Sequence, residues 1–383
     1  MKSNKIRLGE QCVVTSSKRF HLSERITQGV PFYCSKEIIK KFNGEDVTEC
    51  DYISEDLYKK VSNEFGVPKE NDLLITTRGT IGIPYLYKRT DRFYFADGNL
   101  TWIKDFDSNL YSKFLYYWFQ SYEGRKKFEA LAKGTAQKAV PISGIKTLEI
   151  ELPSLKDQKR IVDILSAYDD LIENNQKQIK LLEEAAQRLY KEWFVDLRFP
   201  GHENTKIVDG VPEGWSRTNI NEILTFHRGY DLTKNEMKAG RYPVVGSTTV
   251  IGYHNEFKIK GPGIVTGRSG SLGKYQFIWD NFWPHNTSLY ISDYKDHNIF
   301  FVYSLLQTVD FASLNNGGAI PTLNRNVLSN IEVIEPTDEL QEMFATITEA
   351  QYRKIRNLEK QNNQLKMARD VLLPKLMSGE MEV

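Results

Sequence analysis

At 383 residues, with 40% hydrophobic and 26% charged side chains, the chain is long enough for two or three folded units, and its composition excludes collagenous and disordered classes. Lysine and arginine number 51 against 50 aspartates and glutamates, and the resulting net charge of +1 gives no global electrostatic pull toward nucleic acid. No apolar run reaches the roughly 18 residues of a membrane span, no signal peptide opens the chain, and Cys12, Cys34 and Cys50 form no C-x-x-C pair; a cytoplasmic location without membrane contact, disulfide framework or metal site is expected.

Residues 1–152 read as a mixed α+β domain, with short β-like runs at Leu73-Leu-Ile-Thr-Thr77 and Leu86-Tyr87 and a short helix over Tyr111–Tyr122. Within it, Gly124–Lys146 carries Arg125, Lys126, Lys127, Lys133, Lys138 and Lys146 against Glu129 alone, a local basic patch suited to phosphate. A long helix is expected in 153–199, entered after Leu152-Pro153-Ser154. Tyr168, Ile172, Asn175, Ile179, Leu182, Ala186, Leu189 and Trp193 recur along it at alternating steps of four and three, the seam of a coiled coil.

Residues 200–336 read as a second α+β domain, with β-like runs at Gly263-Ile-Val-Thr266 and Tyr275-Gln-Phe-Ile-Trp279 and a helix over Ile299–Ser313. A second long helix fills 337–383, with the seam Ile355, Leu358, Asn362, Leu365, Arg369, Leu372 and Leu376. Residues 157–193 and 340–376 superimpose at a constant offset, so that Gln158 meets Gln341, Ile164 meets Ile347 and Leu189 meets Leu372. Upstream, Ile75-Thr-Thr-Arg-Gly-Thr-Ile-Gly82 echoes Val265-Thr-Gly-Arg-Ser-Gly-Ser-Leu-Gly273, and Gly98-Asn99 echoes His285-Asn286. The chain is therefore two copies of one unit, a mixed domain followed by a helix. The simplest architecture pairs the two helices as an antiparallel coiled coil with pseudo-twofold symmetry and the domains at opposite ends, each seam holding one Asn to fix register.

Catalytic motifs are missing. The glycine-rich stretch Gly261–Lys274 fails the phosphate-loop spacing and has Tyr275 where a magnesium ligand would stand; turn glycines explain it better. The six histidines form no metal-binding pair, no serine sits in a nucleophile elbow, and no two prolines are adjacent, which excludes the signature of amino-methyltransferases.

Binding candidates are more numerous. Lys88, Arg89 and Arg92 lie in a loop between Tyr85/Tyr87 and Phe93/Tyr94, where a solvated hairpin tip is an equally good reading. Lys133, Gln137 and Lys138 flank small residues that permit close approach to phosphate, and glutamine is able to read adenine. The second copy offers Arg228, Tyr230, Lys234, Arg241 and, after Asn315-Asn-Gly-Gly-Ala-Ile320, the pair Asn324 and Arg325. Arg78 and Arg268 stand at matching places in the two copies, which suits a DNA contact and a structural role equally.

The tract Glu151-Leu-Pro-Ser-Leu-Lys-Asp-Gln-Lys-Arg-Ile through Asn175, then Leu181-Leu-Glu-Glu-Ala-Ala-Gln-Arg-Leu-Tyr-Lys-Glu-Trp-Phe194, Val211-Pro-Glu-Gly-Trp215 and Leu372-Leu-Pro-Lys-Leu-Met-Ser-Gly-Glu380 together resemble the specificity subunits of type I restriction–modification systems. The likeness runs in order along essentially the whole chain, except that the first domain lacks a Pro-Glu-Gly-Trp opening. It implies two target-recognition domains that read the halves of a bipartite, asymmetric site in double-stranded DNA, with the helices as spacer and as docks for two methyltransferase subunits. The chain itself would be non-catalytic and hold no cofactor. S-adenosylmethionine would sit on the methyltransferase partners, and ATP and magnesium on the restriction/translocase subunits. A subunit of a bipartite type II enzyme and a coiled-coil scaffold that binds no DNA are the competing readings.

Overall fold

The sequence repeat returns as a repeat of topology in the computed structural model, which describes residues 3–134, 138–268, 273–309 and 331–383. Two units are distinguished, one made of Met1–Gln176 with Glu359–Val383, the other of Lys177–Leu358. The chain runs β1 (Ser3–Arg7), β2 (Val13–Thr15), β3 (Val30–Tyr33), α1 (Ser35–Asn43), β4 (Asp51–Ile53), α2 (Glu55–Glu64), β5 (Leu73–Thr76), β6 (Pro84–Leu86), β7 (Tyr94–Phe95) and β8 (Leu100–Lys104). Next come α3 (Ser112–Gln120), α4 (Tyr122–Ala130), α5 (Ile142–Lys146), β9 (Glu149–Pro153) and the long α6 (Leu155–Tyr190). The second copy holds β10 (Ile207–Val208), β11 (Val211–Pro212), β12 (Ser216–Asn219), α7 (Ile220–Ile223), β13 (Thr225–Arg228), β14 (Tyr242–Val245), β15 (Val250–His254), β16 (Gly263–Gly267), β17 (Tyr275–Ile278), β18 (Trp283–Pro284), β19 (Ser288–Asp293), α8 (Ile299–Thr308), β20 (Glu332–Glu335) and α9 (Asp338–Ser378).

Three sheets recur. A four-stranded sheet in the order β2-β8-β5-β6 has its counterpart in β13-β19-β16-β17, a three-stranded sheet β4-β3-β7 in β15-β14-β18, and a two-stranded ribbon β1-β9 in β12-β20. Both three-stranded sheets contain one parallel pair, β3 with β7 and β14 with β18. The run Leu73-Leu-Ile-Thr has no polar face because both faces of its sheet are covered. Leu73 and Ile75 point to a core containing Phe114, Leu115 and Trp118 of α3 and Ile161 and Leu165 of α6, whereas Leu74 points to Tyr33, Phe93 and Phe95.

The helix expected over Tyr111–Tyr122 is α3, and a second helix, α4, follows it after a break at Ser121. That residue is extended and its Oγ accepts from the Gly124 amide at 3.1 Å, capping α4. Gly124 has no room for a side chain, since a Cβ would lie 1.9 Å from the Trp118 carbonyl oxygen. The helix expected over Ile299–Ser313 is α8 as far as Thr308, and Asp310–Ser313 lie outside the described residues.

α6 and α9 are 36 and 41 residues long, α6 closing with a wide π turn at Lys191–Val195. Within the first unit they run antiparallel: Arg160 donates to the Val383 carbonyl oxygen, Asp169 meets Arg369 and Asn175 meets Asn362. Within the second, Tyr190 and Trp193 pack on Phe344, while Ile179, Leu182 and Ala186 pack with Tyr352 and Ile355. The seam residues take the places their spacing predicts. Ile172, Trp193, Ile355, Leu358 and Leu376 are buried, and Ile179, Leu182, Leu189, Leu365 and Leu372 are half-buried.

Each helix begins with the same latch. Gln158 donates to the carbonyl oxygens of Pro153 and Asn109 and accepts from the Tyr111 amide at 2.9 Å, tying α6 to the start of α3. Gln341 donates to the Pro336 carbonyl oxygen and accepts from His297 Nδ1 at 2.9 Å, tying α9 to the start of α8.

Asn175 Nδ2 donates to Asn362 Oδ1 at 2.9 Å and also to Gln361 at 3.1 Å. Both asparagines are almost fully buried, so removing one strands the other. Asn175→Leu is expected to destabilise the first unit by about 1–2 kcal/mol. Asn175→Leu with Asn362→Leu should recover that loss while weakening register; urea melts of the three proteins check both.

Candidate nucleic-acid interface

β2 and β5 both pair antiparallel to β8, so their carboxyl ends share one edge of the sheet with the segment that enters β8. Ser16–Arg19, Thr77-Arg78 and Asp97–Asn99 are therefore neighbours. β13 and β16 stand in the same relation to β19, which gathers Gly229–Asp231, Arg268 and His285–Thr287 in the second domain. Pairing also corrects the alignment of the copies. The Ala96 amide donates to the Tyr33 carbonyl oxygen as the His285 amide does to that of Val245, so Ala96 and Asp97, not Gly98 and Asn99, correspond to His285 and Asn286.

At the edge in the first domain, a cleft of about 360 Å³ is lined by Ser16, Thr77, Arg78, Gly98, Thr101, Lys133 and Pro141. Lys133 exchanges backbone hydrogen bonds with Ala139, to which Arg78 is also bridged, and the Val140 amide donates to Thr77. The sheet thus brings Arg78, Lys133 and Lys138 together. Arg78 and Lys133 are exposed and have no carboxylate partner among the described residues. A second cleft of about 440 Å³ begins at the same Ser16 and continues along Ser17, Lys18, Arg19, Asp97, Phe65, Trp102 and Lys104. Lys18 lies 4.7 Å above the Phe65 ring and Lys104 4.3 Å above Trp102, and Ser17 Oγ is buried without a hydrogen-bond partner among the described residues. Five cations and Asp97 line the two clefts, a surface charged for a polyanion. Trp102 is held from behind: its Nε1 donates to Asp72 at 2.8 Å. Burial pushes the Asp72 carboxyl above the usual range, against that hydrogen bond and one from the Lys69 amide.

In the second domain the rings of His227, Tyr230 and Tyr290 form a mutual cluster, 5.4 Å apart for His227 and Tyr290 and 6.1 Å for Tyr230 with each, and the Tyr230 hydroxyl lies 3.0 Å from that of Tyr290. His285 Nε2 donates to the Leu232 carbonyl oxygen, which leaves Nδ1 as the acceptor facing Thr287 Oγ1 at 2.9 Å. Arg228 reaches Asp231, and Asp231 also takes a hydrogen bond from Asn286. Gly229 permits this convergence, because a Cβ there would lie 2.0 Å from the His285 carbonyl oxygen. Arg268 is half-buried and its amide donates to the Thr287 carbonyl oxygen.

Other candidates lie elsewhere. Lys88, Arg89 and Arg92 follow β6 at the opposite end of the first sheet, where Lys88 pairs with Glu173 at 2.7 Å and Arg92 with Glu55 at 2.5 Å; Arg89 is exposed. Lys234 is exposed beyond the edge, and Arg241 precedes β14 with its guanidinium over Tyr242. Gln137, Asn324 and Arg325 lie outside the described residues. Sequence reading missed Lys18, Arg19, Asp97, Lys104, Asp231 and Asn286. The available signal was the repeat itself, which places Ser16–Arg19 after β2 where Gly229–Asp231 follow β13.

Among the described residues no group of His, Cys, Asp and Glu side chains is placed to hold a metal ion, and no helix is long and apolar enough to cross a membrane.

The family model for the type I restriction modification DNA specificity domain matches residues 3–184 and 212–367, one match in each copy of the repeat. The type I restriction enzyme MjaIX specificity subunit of Methanocaldococcus jannaschii is 27% identical over 302 residues, which span 71% of this chain and 69% of that protein. The HindI specificity subunit of Haemophilus influenzae is 33% identical over 87 residues, 22% of this chain and 19% of its own. The crystal structure of a type I restriction–modification S subunit from M. genitalium superimposes with a TM-score of 0.61 at 20% identity, covering 98% of this chain and 96% of that one; at this identity the likeness speaks for the fold.

Proposed function

The chain belongs to the family of type I restriction–modification DNA specificity domains, and from that membership we propose how its parts divide the work. It is the DNA-specificity subunit of a type I restriction–modification complex. Each domain presents its basic sheet edge to one half of a bipartite, asymmetric target in double-stranded DNA. The chain performs no chemistry: methylation of adenine belongs to modification subunits carrying S-adenosylmethionine, and cleavage to restriction/translocase subunits carrying ATP and magnesium. The observation that carries this reading is the match of the family model to both copies of the repeat. The non-DNA scaffold and the bipartite type II reading have no such support, since the relatives above are named as type I subunits.

The edge residues favour DNA over a protein ligand because Arg78, Lys133 and Lys18 offer unpaired cations beside the sheet. Arg78→Ala and Lys133→Ala are each expected to weaken binding of target and non-target duplex alike, and to reduce the slope of log affinity against log salt by about 1. Fluorescence anisotropy across a salt series, with the chain in complex with its modification subunit, checks this. Methylation mapping of host DNA after co-expression tests the whole reading: one split, asymmetric adenine-methylated motif is expected.

A duplicated docking stripe supports two modification subunits. Ile164, Ala167 and Asn174 of α6 are exposed and are identical to the exposed Ile347, Ala350 and Asn357 of α9. Their spacing of three and seven puts each trio on one helix face. Two copies of one partner explain why an isoleucine about 40% exposed is kept at the same place in both helices, at 37% and 43%. Ile164→Arg or Ile347→Arg should each release one modification subunit and the double variant both, read as mass by light scattering.

A further inference from the structure

The same junction at the sheet edge is bridged in both domains, with its polarity reversed. In the first, Arg19, from the segment after β2, donates through Nε to Asp97 Oδ2 at 2.9 Å. In the second, Asp231, from the segment after β13, accepts from Asn286, the residue equivalent to Asp97, and from Arg228 Nη2 at 3.4 Å. The arginines are exposed at 73% and 45%, with Asp231 at 76% and Asp97 half-buried, so the two bridges contribute little to folding. On a face that meets phosphates a carboxylate is also a liability. Its presence at the same junction of both domains calls for a purpose.

Free hydrogen-bonding capacity supplies one. Because Asp97 takes only Nε, both terminal nitrogens of Arg19 remain, the fork that matches guanine O6 and N7. Because Asp231 takes one N–H of Asn286, the other N–H and Oδ1 remain, the donor and acceptor that match adenine N7 and N6. Arg228 keeps Nη1 beside it. Building on the DNA-recognition reading above, we propose that this junction is the base-reading point of each domain. Arg19 reads a guanine in one half of the target, Asn286 and Arg228 read an adenine and an adjacent guanine in the other, and Asp97 and Asp231 are the positioning residues that aim them. Unlike readers in one structural slot then produce unlike half-sites.

The test uses the chain co-expressed with its modification subunit, with methylation mapped genome-wide for the wild type, Arg19→Ala, Arg19→Lys, Asp97→Asn, Asn286→Ala and Asp231→Asn. The wild-type motif should hold guanine in the half read by the first domain and adenine in the other. Arg19→Ala and Arg19→Lys should relax one G·C position roughly ten- to hundredfold and leave the second half intact, which also shows that the protein folds. Asn286→Ala should relax one A·T position in the opposite half. Asp97→Asn and Asp231→Asn should blur those same positions while non-target affinity stays level or rises, an outcome that a merely structural role does not give. Equal weakening at every position, or a wild-type motif lacking these bases, overturns the proposal while leaving the specificity-subunit reading in place. A complex that methylates no split motif removes that reading and the proposal with it.

Discussion

Replacing Phe344 with alanine is expected to cost the second unit about 4 kcal/mol. The side chain is fully buried and touches four other rings or their neighbours in one cluster: Tyr190 at 5.7 Å between centroids, Trp193 at 6.1 Å and Phe194 at 5.2 Å, with Phe301 packed on Phe194 at 5.4 Å. Several of these contacts are edge-to-face, an arrangement that adds to the area term. Phe344 also joins elements distant in sequence, since it comes from α9, Tyr190 from α6 and Phe301 from α8, and the same core contains Ile264, Leu289 and Ile291 of the sheet. Truncation leaves a cavity that three aromatic planes cannot close without losing their own contacts. Phe344→Leu keeps most of the volume and should cost less than half as much. Chemical denaturation followed by tryptophan fluorescence, with Trp193 in the cluster as reporter, distinguishes the two; equal losses for both variants would mean that shape, not cavity volume, sets the cost.

Helix pairing was legible because its signal is local. Steps of three and four along Ile172, Asn175, Ile179 and Leu182 need only the chain's own period, and these residues occupy the seam. The short strands were legible one at a time, Leu73–Thr76 and Gly263–Gly267 among them, but not their order. A parallel partner for β3 comes from Tyr94–Phe95, some sixty residues away, and no pattern within either segment announces it. The grouping of the candidate site was hidden in the same way. Lys88 and Arg92 stood out as a basic loop, yet their carboxylates, Glu173 and Glu55, lie 85 and 37 positions distant. Arg19 and Asp97 are 78 positions apart in segments with no motif, and only strand pairing makes them neighbours. What the sequence did carry was the duplication, which, followed upstream, leads from Arg228 to Ser16–Arg19; it set Arg268 against Arg78, whereas the Arg268 amide bonds Thr287 as that of Thr77, the residue before Arg78, bonds Asn99.

Arg369→Ala is expected to destabilise the first unit by about 3 kcal/mol. Arg369 occupies a seam position of α9 where an aliphatic residue would serve packing, and its guanidinium binds Asp169 of α6 through Nη1. Asp169 in turn accepts from the Tyr117 hydroxyl of α3 at 2.7 Å. Both members of the ion pair are about three-quarters buried, with side-chain exposures of 21% and 27%, so water does little to replace a lost partner and the discount due to a surface pair does not apply in full. Burial, and after it the negative charge of Asp169, holds the Tyr117 proton far above the usual phenol range, so the hydroxyl is always available as donor but brings no positive charge. Removing the guanidinium therefore leaves a carboxylate whose desolvation is offset by one neutral hydrogen bond. Adding Asp169→Asn to the Arg369→Ala protein removes the stranded charge, keeps an acceptor for Tyr117, and should restore about half of the loss. Denaturant midpoints of the single and double variants decide the matter. A single-variant loss under about 1 kcal/mol, or no recovery in the double variant, would show that the pair behaves as a solvated surface bridge and that hydrophobic seam contacts alone hold α6 and α9 together in this unit.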